Sequence, residues 1–129
     1  MGLLVLGTVA LDNVKTPSGT KKNMLGGSAA HFSMSARLFD DVHVVGVVGK
    51  DFPKVHMDFL KRKGVNISSL TVAGGKTFRW TGEYKPDDLN SAITHQTEIG
   101  VLADYQPQLN EQQRNMGYVF LATLAPSVQ

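Results

Sequence analysis

Three short runs in this chain are apolar almost without interruption: Leu3 to Leu6, Val42 to Val48, and Tyr118 to Ala122. A strand that shows one face to water alternates apolar and polar residues, whereas a strand covered on both faces does not. Runs of this kind belong to a parallel sheet with helical crossovers, and they predict buried strands. Gly7 and Gly49 end the first two runs. Between them, Ala29, Ala30, Phe32, Ser33, Ala36 and Leu38 predict a helix opened by Gly26-Gly27-Ser28, with Ser28 as its cap and small residues for close packing. Asp51 predicts a cap for the next helix, with Pro53 in its first turn. Phe52, Val55, His56, Phe59 and Leu60 then fall on one apolar helical face. Gly64 is the stop after Lys61-Arg62-Lys63, a solvated helix end. Val65 to Val72 returns to extended structure and Gly74-Gly75 turns it.

Other segments read as a different kind of β-structure. Val9 to Val14 is broken by Asp12 and Asn13, and Thr16-Pro17-Ser18-Gly19 is a turn, so these residues predict a hairpin leaving the main sheet. Thr77 to Tyr84 alternates, with Phe78, Trp80 and Gly82 on one face and Thr77, Arg79, Thr81 and Glu83 on the other. Pro86 to Asn90 reads as a loop, Ile93 to Val101 as a strand, and Asn110 to Asn115 as a short helix. The order strand, helix, strand, helix, strand makes the fold class α/β. A helix starting near Pro126 has no room to form before Gln129, so the 129 residues read as the front part of one larger α/β domain.

Composition narrows the function. The chain is 42% apolar and 19% charged, with 13 basic and 11 acidic side chains for a net charge of +2. That excludes a disordered tail and leaves no basic stripe for nucleic acid. Cysteine is absent, which excludes disulfides, thiolate metal sites and cysteine nucleophiles. No apolar run approaches the ~20 residues of a membrane span. Met1 to Leu6 is apolar but has no basic leader, so the expected compartment is the cytoplasm.

The chemistry rests on few residues. Asp12 follows the first strand, where open α/β sheets bind ligands, and can accept hydrogen bonds from substrate hydroxyls. It can equally be a turn aspartate bonded to its own backbone. Gly26-Gly27-Ser28 lets a ligand approach free amides at a helix start, or is simply a turn. It is not a phosphate loop, and Gly7-Thr8-Val9 is not a dinucleotide fingerprint. His31, His43, His56 and His95 lack the paired spacing of a helical zinc site; His43 and His56 read as packing. Phe78 and Trp80 can stack on a sugar or base, or bury against neighbours.

Gly26-Gly27-Ser28-Ala29-Ala30, the run to Val45-Gly46-Val47-Val48-Gly49-Lys50-Asp51-Phe52, and the opening Val5-Leu6-Gly7-Thr8-Val9-Ala10-Leu11-Asp12 resemble the ribokinase-like, or PfkB-type, carbohydrate kinases. The resemblance runs from Leu3 to Ala122. It implies the N-terminal portion of a three-layer α/β/α sandwich with a small β-sheet lid, the lid strands at about 9–24 and 77–101. It implies ATP-dependent phosphoryl transfer, with Mg2+, to a hydroxymethyl group of a sugar or nucleoside. Asp12 matches the aspartate that holds substrate hydroxyls, and Gly26 and Gly27 match the substrate-loop pair that also hinges the lid. His31 stands where many members carry an asparagine that touches the sugar. Phe78, Arg79, Trp80 and Thr81 fall where the lid closes over substrate. The family's second signature, Asp-Thr-x-Gly-Ala-Gly-Asp, which holds the catalytic base and anion hole, has no match here, nor has the Asn-x-x-Glu motif. The binding residues for ATP and Mg2+ are therefore expected outside these 129 residues, and the chain alone is expected to be inactive. The competing reading is a non-catalytic interaction module that forms a lid-mediated homodimer or binds a separate C-terminal half.

Overall fold

A computed structural model describes residues 2–129. In chain order the elements are β1 (Leu3–Leu6), β2 (Ala10–Thr16), β3 (Gly19–Gly26), α1 (Ser28–Ala36), β4 (Val42–Gly49), α2 (Lys54–Arg62), β5 (Val65–Ala73), β6 (Arg79–Lys85), β7 (Asp88–Glu98), a 3-10 helix (Gly100–Asp104), α3 (Glu111–Arg114) and β8 (Tyr118–Leu121). They build two four-stranded sheets, one ordered β5-β4-β1-β8 and one ordered β3-β2-β6-β7.

The first sheet is parallel throughout, as its unalternating strands require. Successive residues of β1 and β4 feed two separate cores. Val5, Val42, Val44 and Val48 pack under α1 and α2 with Ala29, Phe52 and Leu60. Leu4, Leu6, Val45 and Val47 pack on the opposite face against Tyr105, Val101, Leu102, Leu109 and Leu124. The sheet is thus covered on both sides, which gives three layers and the expected fold class.

Four expectations need correction. Strand β8 pairs with β1 but lies at the edge of the sheet, and Tyr118, Val119 and Leu121 are each at least half exposed, so it is not a buried strand. Only Pro86 and Asp87 link β6 to β7, and Asp88 to Asn90 belong to the strand. Strand β7 ends at Glu98, because Gly100 adopts a positive φ and starts the 3-10 helix. Helix α2 starts at Lys54 after Pro53, and Asp51 does not cap it. Phe52, just ahead of α2, and Leu60 within it are buried as expected, but Val55 faces water.

The second core contains one flaw. Tyr105 is buried, and its hydroxyl has no hydrogen-bond partner. Burial pushes its pKa up to about 12. An unpaired buried hydroxyl costs about 1–3 kcal/mol. Tyr105→Phe removes the hydroxyl and keeps the ring, so it is expected to raise the urea midpoint with an unchanged slope; a lowered midpoint would show that the hydroxyl has a partner.

Candidate functional site

The order β5-β4-β1-β8 has its reversal between β1 and β8, since β1 continues through α1 to β4 on one side and meets β8 on the other. Open α/β sheets bind ligands at such a reversal, beyond the C-terminal ends of the strands. Here that end is tied by a compact set of hydrogen bonds. The Ala29 amide donates to the Thr8 carbonyl at 2.9 Å and the Ser28 amide to Thr8 Oγ1 at 3.0 Å. Ser28 Oγ lies 2.9 Å from Thr8 Oγ1 and accepts from the amides of Thr8 (3.3 Å) and Thr123 (3.1 Å). Ser28 is therefore the first helical residue, and Gly27 holds the cap position without a side-chain bond. The Ser28 hydroxyl joins β1, α1 and the segment after β8.

Strand β2 leaves this knot and enters the second sheet. Asp12 sits beside Met24 of β3 and beside Trp80 of β6. Register partners in a sheet point to the same face, so Asp12 and Trp80 share one. The Asp12 carboxylate lies directly over Gly26, where any β-carbon would overlap Oδ2. Burial pushes the Asp12 pKa up, and the charge of His31, on the exposed side of α1, opposes it. Asp12 has no partner among the hydrogen bonds and ion pairs of the described residues, so its oxygens remain available to a ligand. Asp12 thus lies against Gly26, shares a sheet face with Trp80 and feels the charge of His31. Phe78 lies one residue ahead of β6, partly buried, and its carbonyl accepts from the Leu11 amide at 3.0 Å.

Arg79 and Thr81 point to the other face, away from Asp12. Thr81 Oγ1 accepts from Asn13 Nδ2 at 3.2 Å. Arg79 binds Asn23 Oδ1, and it faces Asp51 Oδ2 at 3.5 Å and Glu98 Oε2 at 3.8 Å. Asp51 Oδ1 accepts from the amide and hydroxyl of Thr77 at 2.8 and 2.7 Å. His56 Nε2 lies 2.7 Å from the Asn23 carbonyl, so it tethers the second sheet rather than only packing. This cluster links α2 and the segment after β4 to β3, β6 and β7 of the second sheet, and local spacing gave no hint of it. Burial raises the Asp51 pKa, but the bonds from Thr77 and the Arg79 charge outweigh it and hold the carboxyl below its ordinary value. A depressed carboxylate stabilises the fold above its unfolded pKa, near ~3.9, and that contribution is lost as pH falls through the folded value. Between about pH 5 and 3, urea titrations are expected to show a steeper stability loss for the native chain than for Asp51→Asn; parallel curves would remove Asp51 from this role.

Among the described residues, no three His, Asp or Glu side chains lie together as a metal site. No helix of the described residues is long and apolar enough to cross a membrane.

No family model matches the chain. It is 32% identical over 102 residues to a cytidine kinase of Thermococcus kodakarensis, covering 78% of this chain and 35% of that protein. The nucleoside kinase of Methanocaldococcus jannaschii superposes with a TM-score of 0.74 at 21% identity, covering 93% of this chain and 44% of the other. A ribokinase from Cryptococcus neoformans in complex with ADP gives 0.75 at 20% identity, covering 92% and 40%. The Burkholderia thailandensis nucleoside kinase in complex with inosine gives 0.67 at 18% identity, covering 78% and 37%. The fold is ribokinase-like, and the chain spans well under half the length of these relatives.

Proposed function

We propose that this chain is the acceptor-binding and lid portion of a ribokinase-like kinase that phosphorylates a hydroxymethyl group of a sugar or nucleoside. The observation that carries the reading is the Asp12 carboxylate, unpaired and laid over Gly26 on β2, the strand by which the chain leaves β1 for the second sheet. A carboxylate is an acceptor-only group, which suits it to neighbouring hydroxyls of a sugar. Gly26 leaves the space in which Asp12 and a ligand can meet. His31, a donor on the adjacent helix, can reach a further hydroxyl. The β2-β3-β6-β7 sheet serves as the lid, with Gly26 and Gly27 at its junction with α1.

Phosphoryl transfer depends on positioning and on stabilising the charge of the phosphates. The candidate site supplies positioning for the acceptor. The base, the anion hole, and the sites for ATP and Mg2+ are assigned to sequence beyond these residues, and no metal-bound step is assigned to this chain. Calorimetry with this chain is expected to show binding of a sugar or nucleoside, and an assay with ATP, Mg2+ and the same acceptors is expected to show no turnover. Absence of all acceptor binding overturns the assignment of the site; robust turnover overturns the division of labour.

The exposed strand β8 favours a second reading, an interaction module. Tyr118, Val119 and Leu121 are at least half exposed on a parallel strand with an unpaired edge. Such an edge accepts another strand, from a separate C-terminal half or another copy. The lid's outer strand β7, with Leu89 and Ile93 exposed, is the alternative surface for a homodimer. Light scattering separates the cases: charge placed on β8 abolishes association in one, charge on β7 in the other.

A further inference from the structure

Among the described residues, Asn23 is the one non-glycine residue with a positive φ, +55°. It is an exposed residue of β3, so burial does not account for that conformation. The strand register does. Ala10, Leu11 and Asp12 pair with Gly26, Leu25 and Met24, whereas Val14, Lys15 and Thr16 pair with Lys21, Thr20 and Gly19. Strand β3 therefore carries one extra residue opposite Asn13. A bulge of this kind bends its strand and re-aims the residues beside it. The residues that follow this one build the surroundings of Asp12: Met24 is its register partner, and Gly26 lies against its carboxylate.

Three groups hold the bulge. The Asn23 amide donates to Asn13 Oδ1 at 2.9 Å. From α2, His56 Nε2 lies 2.7 Å from the Asn23 carbonyl. From β6, Arg79 donates to Asn23 Oδ1. His56 packs against the buried ring of Phe52, with 5.6 Å between ring centroids, and Arg79 reaches Asp51. The parallel-sheet layers thus grip the second sheet one residue away from the partner of Asp12.

We propose that Asn23 is a positioning residue: its left-handed bulge, held from α2 and β6, sets Asp12 where an acceptor meets it. This rests on the reading of Asp12 as the acceptor's anchor. A β-branched residue at position 23 either relaxes the bulge or holds a strained φ, so only a fraction of the molecules keeps Asp12 in place. Apparent affinity falls with that fraction, by about tenfold for strain of this class. Glycine takes the same φ freely.

The test titrates cytidine and ribose by calorimetry into the native chain, Asn23→Val, Asn23→Gly and His56→Leu, and follows the Asp12 carboxyl by NMR in each. Asn23→Val is expected to bind about tenfold more weakly. Its Asp12 pKa is expected to fall from the raised value toward the ordinary one as burial is lost. Asn23→Gly is expected to recover most of the affinity, and His56→Leu to move both readings in the direction of Asn23→Val. A merely structural bulge lowers the melting temperature of Asn23→Val and moves neither reading, and that result overturns the proposal. Equal losses in the glycine and valine variants overturn it too. Where Asn23→Val does not fold, His56→Leu decides by the same two readings. If the native chain binds neither probe, the acceptor reading falls, and the Asp12 titration alone decides whether Asn23 places that carboxylate.

Discussion

Asp12→Asn is expected to weaken acceptor binding by about tenfold to a hundredfold while making the fold more stable at neutral pH. The first effect follows from charge. A hydrogen bond to an ionised acceptor contributes about 1.5–3 kcal/mol, against about 1 for a neutral one. An amide also turns one of the two acceptor oxygens into a donor, so a diol that donates to both oxygens loses one bond outright. The second effect follows from the raised pKa of Asp12, caused by burial and opposed by His31. A raised carboxyl pKa means that the folded state holds the proton more tightly than the unfolded chain. Ionised Asp12 therefore costs stability above its folded pKa, and the cost disappears as pH falls below the unfolded value, near ~3.9. The asparagine variant is expected to melt above the native chain at pH 7, with the two curves converging in acid. A group kept at a cost to folding is what a binding site requires and a turn does not. Calorimetry and thermal melts on the same samples read both effects; a variant that binds normally and melts lower would restore the reading of Asp12 as a turn residue.

The parts of the fold that were legible in the sequence are those that burial alone decides. Val5, Val44 and Val48 show no alternation because both faces of β1 and β4 are covered, and that condition is written locally. Strand β8 carries the same pattern and is exposed, because it lies at the edge of its sheet, and a strand's place in the sheet order is not written in its own residues. The caps misled for a related reason. Ser28 and Asp51 have the right chemistry and place for helix caps, yet Ser28 is claimed by Thr8 and Thr123, 20 and 95 positions away, and Asp51 by Thr77 and Arg79. Propensity cannot anticipate partners that only the topology brings near. Asp12 was legible as a candidate because it follows a strand at a known ligand position, but its unpaired state was not. The place of Trp80 was half visible: alternation put it on the face of Gly82, and only the structure showed its ring edge against that glycine and its Nε1 donating to Thr94.

Gly27→Ala is expected to be strongly destabilising. Gly27 has φ +97° and ψ 151°, a region open essentially to glycine alone, and occupying it with another residue costs on the order of 1–3 kcal/mol. The added carbon would also run into the Thr8 carbonyl and approach the Ala10 amide, and both are backbone atoms that cannot swing aside. That carbonyl already accepts from Ala29, and Thr8 holds Ser28 by three contacts. Relief of the clash therefore pulls α1 from β1 at the base of the site. Together these effects reach roughly 3–5 kcal/mol, a large share of the 5–15 kcal/mol that holds a typical domain. The expected result is a fall of at least about 10 °C in melting temperature. Gly26→Ala offers the contrast, since its β-carbon meets the Asp12 side chain, which can rotate away. That variant is expected to keep most of its stability and lose acceptor affinity, because the carboxylate is displaced from its place over Gly26. Circular dichroism melts of both variants, with calorimetry on Gly26→Ala, test the pair. If Gly27→Ala melts with the native chain, the junction between the two sheets is not built as described, and the placing of Asp12 beside α1 goes with it.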